Sequence, residues 1–168
     1  MKAKDLSREL REGEGEFLKQ RRGIVALGLA AAGSMGLIAL YQMGILKHLP
    51  EPPIPGFDAD KVDASDEAYA HLQMGDAFIG LGSYAATMAL AAMGSKNRAS
   101  TQPWIPLALL AKTGADAAQA ARLTVDQWTK HKAFCFWCLL AAGATFAALP
   151  LAIPEALAAL DTVRKKLD

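Results

Sequence analysis

Three stretches of the chain carry no charged residue, and they dominate its pattern of hydrophobic and polar positions. They are Ile24 to Leu46, Ala77 to Gly94 and Ala133 to Pro154, of 23, 18 and 22 residues. A helix of roughly 20 apolar residues spans a bilayer core about 30 Å thick. A helix on the surface of a soluble bundle instead carries charges on its wet face. The pattern therefore predicts membrane-spanning helices and argues against a soluble fold.

A fourth span is predicted from Pro103 to Val125, where the apolar pattern is weaker. This segment contains Lys112, Asp116 and Arg122. Because Lys112 and Asp116 are four residues apart, they share one helix face and can pair, which lowers the free energy needed to bury both. With this segment, the sequence predicts an all-α integral membrane protein, a bundle of four transmembrane helices.

The polar segments divide the chain into three predicted parts. These are a cytoplasmic N-terminal segment, a four-helix transmembrane domain and a cytoplasmic C-terminal tail, at residues 1–22, 23–155 and 156–168. The first part is either an interfacial helix or a frayed tail. The loop 47–75 is rich in proline and acidic residues, and Ser65 can cap a short amphipathic helix from Asp66 to Gln73.

Two local features shape the predicted spans. Gly28, Ala32 and Gly36 recur at four-residue spacing in the first span, a stripe of small residues that lets another helix approach closely. Pro150 is expected to kink the far end of the fourth span.

The distribution of basic residues predicts the orientation. Lys and Arg number twelve on the side that holds both termini and the turn between spans two and three, against four on the other side. The positive-inside rule therefore places both termini in the cytoplasm and the loop 47–75 outside, in a multi-pass protein of the cell (inner) membrane. The net charge of +1, without a basic stripe, gives no reason to expect a nucleic-acid partner.

The chain has two cysteines, and they form the motif Cys135-Phe-Trp-Cys138 at the start of span four. Two cysteines placed at random in a chain of this length would take this spacing about once in 85. A helix N-terminus and the neighbouring Lys130, His131 and Lys132 favour a thiolate. A redox-active pair is predicted; an inert bridge or two buried thiols is the alternative. A metal site is not predicted, because the sequence shows no further ligands beside the pair.

Four spans with this motif opening the fourth on the outer side resemble the vitamin K epoxide reductase family, over about residues 20–155. The stretch Tyr41-Gln42-Met43-Gly44 and the segment Asp76 to Tyr84 also match. The resemblance implies a quinone, menaquinone or ubiquinone, bound near the outer end under a cap made by the first loop. It implies that Cys138 is the quinone-side thiol, forming a charge-transfer or covalent adduct. Cys135 would exchange with a thioredoxin-like protein or a small thiol.

The resemblance also suggests which side chains hold the quinone. The position of Asp76 commonly carries an amide that hydrogen-bonds a quinone carbonyl, and an aspartate could donate that bond only if protonated. Trp137, between the cysteines, is expected to wall the pocket. The expected quinone-binding residues are Asp76, Phe78, Gly80, Tyr84 and Trp137.

The chain departs from the family pattern at two places. Family members usually carry a second cysteine pair in the first outer loop, whereas residues 47–75 contain no cysteine, and Ala142 replaces a tyrosine often found after the motif. A reductant must then reach Cys135 directly, so the loop is predicted to form an open rim and not a sealed lid.

Two functions of different classes follow from the sequence. The first is a membrane thiol-disulfide oxidoreductase that couples the cysteine pair to quinone reduction, supporting disulfide formation or reduction of a quinone of the vitamin K type. The alternative is a non-enzymatic four-helix membrane assembly or transport protein with incidental cysteines, for which Lys112 and Asp116 are the best support.

Overall fold

A computed structural model of the chain describes residues 3–70 and 72–167, so that Met1, Lys2, His71 and Asp168 lie outside the description. Over these residues the protein is all-helical, apart from one isolated β-bridge. The helices are α1 (Ala3–Glu12), α2 (Leu18–Gln42), α3 (Ala59–Asp63), α4 (Asp76–Ala92), α5 (Arg98–Thr101), α6 (Trp104–Asp126) and α7 (Phe136–Leu167). The all-α prediction is confirmed over the described residues.

The four long helices α2, α4, α6 and α7 pack into one bundle. α2 lies against both α4 and α7, and α6 lies against α7 and more lightly against α4. Within the described part of the chain, Leu18–Gln42 and Phe136–Lys166 are long and apolar enough to cross a membrane, while Asp76–Ala92 is apolar but shorter. α6 has the length of a span but carries the charges that weaken its apolar pattern.

The predicted stripe of small residues acts at one of its glycines. A Cβ atom added at Gly28 would lie 2.6 Å from Cγ of Met88, so α2 and α4 approach closely only because this position is glycine. At Gly36 the same construction meets nothing within 4 Å. The close approach is therefore local and does not run along the whole stripe.

The charged pair predicted within α6 is present. Lys112 Nζ lies 2.6 and 2.5 Å from the two carboxylate oxygens of Asp116. Ser83 and Thr87 of α4 each donate a hydroxyl hydrogen bond to the same carboxylate, both at 3.0 Å. The pair thus joins α6 to α4 and satisfies its own charges inside the bundle.

A second group of charged side chains lies where α4 ends, and it consists of Arg21, Arg98 and Glu155, here called the arginine end. Arg98 is fully buried and donates to both oxygens of Glu155, at 2.8 and 2.6 Å. The remaining guanidinium nitrogen of Arg98 and all three guanidinium nitrogens of Arg21 donate to backbone carbonyls from Leu90 to Ser95. These carbonyls have no partners within α4, so the two arginines satisfy the end of that helix.

The C-terminal segment differs from its prediction as a separate tail. α7 continues through Pro150 and Pro154 as far as Leu167. Ala156 and Ala159 are fully buried, and Glu155 binds Arg98. These contacts hold α7 to the bundle beyond Pro154, where the sequence analysis places a separate tail.

The predicted helix in the first loop is wrong in type and extent. Asp66–Tyr69 forms only a 3₁₀ turn, and the Ser65 side chain makes no capping hydrogen bond. Leu72 and Gln73 have φ values of 55° and 54°, left-handed conformations that end any helix there. The α-helix of this loop is instead α3, where Asp58 Oδ1 accepts a hydrogen bond from the Lys61 amide at 3.0 Å. At the N-terminus, Ala3–Glu12 forms the helix α1, and its place at a membrane interface stays a prediction.

Candidate functional site

The first loop folds back over the start of α7 and is held there by its backbone. Phe57 and Phe134 form a parallel β-bridge, in which the Asp58 amide donates to the Phe134 carbonyl at 3.0 Å and the Phe134 amide donates to the Gly56 carbonyl at 2.8 Å. The indole nitrogen of Trp137 donates to the Pro50 carbonyl at 2.7 Å. The loop therefore covers the point at which the cysteine motif begins.

Both cysteines are free thiols, and they differ in exposure. Cys135 is fully buried, with its amide donating to Oε1 of Gln127 at 2.9 Å. Its sulfur accepts a hydrogen bond from the Cys138 amide at 3.1 Å. This amide belongs to the first turn of α7, where a helix N-terminus favours negative charge. A hydrogen bond with the Cys138 thiol also lowers the pKa of the Cys135 thiol, but burial and the negative charge of Asp63 outweigh these effects and raise that pKa, so the predicted thiolate is not favoured. Cys138 is partly exposed.

The charged side chain that touches the thiols is an acid, Asp63, which the sequence analysis did not select. Cys138 Sγ donates to Asp63 Oδ1 at 3.4 Å, and the carboxylate and both sulfurs lie within 4.8 Å of one another. Two of the three predicted basic neighbours are engaged elsewhere. Lys130 pairs with Asp126 at 3.1 Å, and Lys132 Nζ lies 5.9 Å from the centre of the Trp128 ring.

The pKa of Asp63 is raised to about 6. Burial is the largest cause, since the side chain has only 3% of its surface exposed and the charged form is poorly solvated. Hydrogen bonds with the two thiols oppose this rise, while the negative charges of Asp76 and Glu51 add to it. Asp63 thus changes its charge close to neutral pH.

Beside Cys138 lies a cavity of about 360 Å³, a size that suits a small organic ligand. One face of α4 lines it, with side chains at positions i, i+3, i+4, i+7 and i+8: Asp76, Ile79, Gly80, Ser83 and Tyr84. α2, α6 and α7 supply other walls, including Met35, Asp116 and Ala141. Asp63 lines the same cavity. A reactive sulfur, a buried acid and a ligand-sized space therefore meet at one point.

A model of the vitamin K epoxide reductase family matches residues 23–153 of the chain. The match contains both cysteines, Asp63 and the helical face that lines the cavity. The chain belongs to the vitamin K epoxide reductase family. No curated protein and no solved structure gave a match. Membership places the chain among membrane oxidoreductases that use quinone and disulfide chemistry.

The residues expected from the family to bind quinone are only partly brought together. Asp76, Gly80 and Tyr84 line the cavity with Cys138. Phe78 and Trp137 do not line it, and both pack against the buried residues around Ile38 and Leu49. Phe78 lies about 200° around α4 from Gly80, because each helical residue turns about 100°, and so points to the opposite face. Trp137 turns toward the loop, where its indole meets Pro50.

Gln42, from the stretch that matches the family at the end of the first span, connects three elements. Its amide nitrogen donates to Asp76 Oδ1 at 2.8 Å and to the Asp63 carbonyl at 3.3 Å, and its oxygen accepts from the Ala77 amide at 3.3 Å. A Cβ atom at Gly75 would overlap the Gln42 side-chain oxygen, so glycine leaves the Gln42 side chain free to take this position. Gln42 therefore holds the carboxylate of Asp76 and the backbone of Asp63 beside the cavity.

The prediction of an open rim is wrong for this structure. Leu49, Ala59 and Val62 of the loop are buried, and they pack in one cluster with Cys135. Cys135 itself has 0% of its surface exposed. The apolar side chains that alternate with the prolines and acids give the loop an inner face, and this face covers the thiol.

The sequence alone does not single out Asp63, because the segment from Glu51 to Asp76 holds seven acidic residues with no obvious difference between them. The available signal was the spacing of Ala59, Val62 and Asp63, at i, i+3 and i+4 of a helix capped by Asp58. This spacing puts Asp63 on the same buried face as the two apolar residues. An acid on the apolar face of a short helix is the pattern that marks it.

Proposed function

We propose that this member of the vitamin K epoxide reductase family is a thiol:quinone oxidoreductase that works through Cys135 and Cys138. The observation that carries the proposal is the position of Cys138, which lines the cavity while its amide contacts the Cys135 sulfur at 3.1 Å. Electrons from a thiol can thus pass through the pair to a quinone, menaquinone or ubiquinone, held beside Cys138. The reaction supports disulfide formation in other proteins or the reduction of a quinone of the vitamin K type.

The two cysteines have unequal roles in this proposal. Cys138 lines the cavity and is the quinone-side thiol. Cys135 exchanges with the incoming thiol of a thioredoxin-like protein or a small molecule. Since Cys135 is fully buried beneath the first loop, this exchange requires the loop to move aside.

Asp76, Gly80 and Tyr84 are the residues proposed to contact the quinone. Asp76 lies at the start of α4 with its Oδ1 held by Gln42. Tyr84 lies about two helical turns further along α4. Its hydroxyl is 3.0 Å from Thr145 Oγ1. Ala142 also lines the cavity, at the position where relatives often carry a tyrosine, so the small side chain leaves room there.

We also propose that α2, α4, α6 and α7 are four membrane spans with both termini in the cytoplasm of a cell (inner) membrane. The twelve-to-four distribution of Lys and Arg supports this orientation. Large apolar side chains such as Leu29, Phe146 and Leu157 are exposed on the outside of the bundle, where lipid would cover them. A cysteine placed at Ser65 should react with a membrane-impermeant maleimide in intact cells. Reaction only after lysis would contradict the orientation.

The redox function is tested with purified protein, dithiothreitol and a soluble menaquinone or ubiquinone analogue. The wild type should bleach the quinone catalytically, and Cys138→Ala should abolish this while Ser100→Ala, an exposed position far along the chain, should not. Turnover that persists in Cys138→Ala would contradict the proposal.

The unequal roles are tested by trapping. Cys138→Ser should accumulate a mixed disulfide between Cys135 and a partner thiol, because the second sulfur that would release the partner is gone. Cys135→Ser should accumulate none. Equal amounts of adduct in the two variants, seen on non-reducing gels, would show that the assignment is wrong.

A further inference from the structure

Asp63 brings a carboxyl group to the sulfur that faces the cavity. It is the last residue of α3, and its Oδ1 accepts the Cys138 thiol hydrogen at 3.4 Å. The side chain is buried and lines the same cavity as Cys138. A proton acceptor therefore lies between the first loop and the sulfur proposed to reduce quinone.

The surroundings of Asp63 are negative and offer it no counter-ion. Among residues 3–70 and 72–167 no Lys, Arg or His makes a salt bridge to it, and its Oδ2 is buried without a hydrogen-bond partner. Its charged neighbours are Asp76 at the start of α4 and Glu51 in the loop, both acids. From α2 it faces the phenol of Tyr41.

Arg122 of α6 lines the cavity but makes no salt bridge to Asp63 in the described part of the chain. Lys130 and His131, in the π-helical turn Gln127–His131, also line the cavity. Lys130 pairs with Asp126. Among the described residues, therefore, no salt bridge compensates a negative charge on Asp63 or on the two thiols.

This arrangement restricts how Cys138 can lose its proton. If the proton went to solvent while Asp63 was ionised, two anions would lie 3.4 Å apart in a buried site. Such like charges strongly oppose each other's ionisation. If the proton moves to Asp63, the site holds one negative charge before and after the transfer.

We propose that Asp63 is the proton acceptor of Cys138, and that the two groups share one proton during the redox reaction. The inference rests on the proposed thiol:quinone function. In the oxidation of the pair two S–H bonds break and one S–S bond forms, and two electrons and two protons pass to the quinone, giving the quinol. Asp63 takes the proton from Cys138 and releases it to the reduced quinone in the same cavity, which restores the carboxylate.

Proton sharing has a consequence for pH dependence. Burial raises the pKa of Asp63 to about 6, so above that pH the carboxylate and thiol together hold one proton. The fraction of Cys138 present as thiolate is then set by an internal transfer and does not change between roughly pH 6.5 and 8. With an amide at position 63, thiolate forms only by loss of a proton to solvent, and its fraction rises about tenfold per pH unit.

The test measures Cys138 alone, in the full chain carrying Cys135→Ser. The rate of iodoacetamide alkylation is followed by mass spectrometry from pH 5.5 to 8.5, with EDTA present to keep trace metal from the thiol. The parent rate should fall below pH 6 and stay flat from 6.5 to 8. Asp63→Asn should remove the plateau, so that its rate rises about tenfold per unit and exceeds the parent's on the order of 100-fold at pH 8.

Two further variants separate proton transfer from structure. Asp63→Glu should keep the plateau, and Asp66→Asn, which changes an exposed acid of the same loop, should match the parent. A tenfold rise per unit in the parent itself would overturn the proposal, even if Asp63→Asn failed to fold. Parallel profiles in the parent and Asp63→Asn would overturn it as well.

A second arm uses the reduced two-cysteine protein and a soluble naphthoquinone in a single turnover. Its rate should show the same plateau, and Asp63→Asn should lose it. A flat alkylation profile without quinone reduction would sink the thiol:quinone function and leave proton sharing in place. Quinone reduction with no plateau in either arm would sink proton sharing alone.

Discussion

The arginine end of the bundle and the group of Asp63, Cys135 and Cys138, here called the cysteine end, bury polar groups in opposite ways. At the arginine end, two guanidinium groups use their donors on Glu155 and on the carbonyls that end α4. At the cysteine end, Asp63 keeps an oxygen without a partner among the described residues, and its contact with Cys138 is long, at 3.4 Å.

The difference shows which buried polar group can take part in a reaction and which one only stabilises the fold. A charge whose hydrogen bonds are all made in the folded state is fixed, and it stabilises one arrangement of helices. A buried acid with an unused oxygen beside a thiol can gain or lose a proton without rearranging its neighbours. The arginine end is therefore expected to govern stability, and the cysteine end reactivity.

The largest effect on this comparison should come from Glu155→Ala. It leaves Arg98 buried without its carboxylate, and removing one partner of a buried ion pair typically costs about 3–5 kcal/mol. The thermal midpoint in detergent should drop steeply, while the quinone turnover of the protein that remains folded should be close to wild type. Asp161→Ala, which removes an exposed acid from the same helix, is the control. A loss of turnover without a loss of stability would break the comparison.

The next effect concerns stability at the cysteine end and its dependence on pH. Because the pKa of Asp63 is raised to about 6 from 3.8 in the unfolded chain, the folded state holds the proton that the unfolded state loses in between. Stability therefore falls as the pH rises from about 4 to 6, by up to ~3 kcal/mol, and then levels off. Asp63→Asn should lack this fall and unfold at a higher temperature than wild type above pH 6.

The control for this measurement is Asp66→Asn, whose exposed acid should leave the wild-type curve unchanged. If wild type and Asp63→Asn keep a constant difference in midpoint from pH 4 to 8, the carboxyl group is not buried in its charged form as the structure indicates.

A smaller effect is expected at the joint that supports the cysteine end. Gly75→Ala places a Cβ atom on the Gln42 side-chain oxygen, and overpacking of this kind costs about 1–3 kcal/mol. Gly82→Ala, where the added atom meets nothing within 4 Å, should be neutral or slightly stabilising. Gln42→Ala in the Gly75→Ala background should recover part of the lost stability. No recovery would show that the clash is relieved elsewhere.

The sequence predicted the long helices well because their signal is local. Uninterrupted apolar runs mark α2, α4 and the first part of α7, and the spacing of Lys112 and Asp116 marks their ion pair. The extension of α7 was missed because it depends on Glu155 reaching Arg98, a contact between residues 57 positions apart. No pattern within the last turns of the helix indicates such a contact.

The site was predicted in part for the same reason. The cysteine motif is a local pattern, and the family resemblance supplied Asp76, Gly80 and Tyr84, which do line the cavity. Whether a side chain of α7 faces the cavity or the loop depends on the rotation of the helix about its axis. In this structure that rotation directs Trp137 to the loop, so it does not line the cavity. Asp63 reaches the cysteines only through the folding of the first loop, a contact over 75 positions.

The backbone bridge between Phe57 and Phe134 allows the opening of the first loop to be measured by hydrogen exchange. The amides of Asp58 and Phe134 are engaged only while the loop lies on the start of α7, so they exchange with solvent deuterium each time this segment opens. The same opening uncovers Cys135. The exchange rate of these two amides is thus an upper limit on how often a protein reductant can be admitted, while a diffusing quinone beside Cys138 would be subject to no such limit.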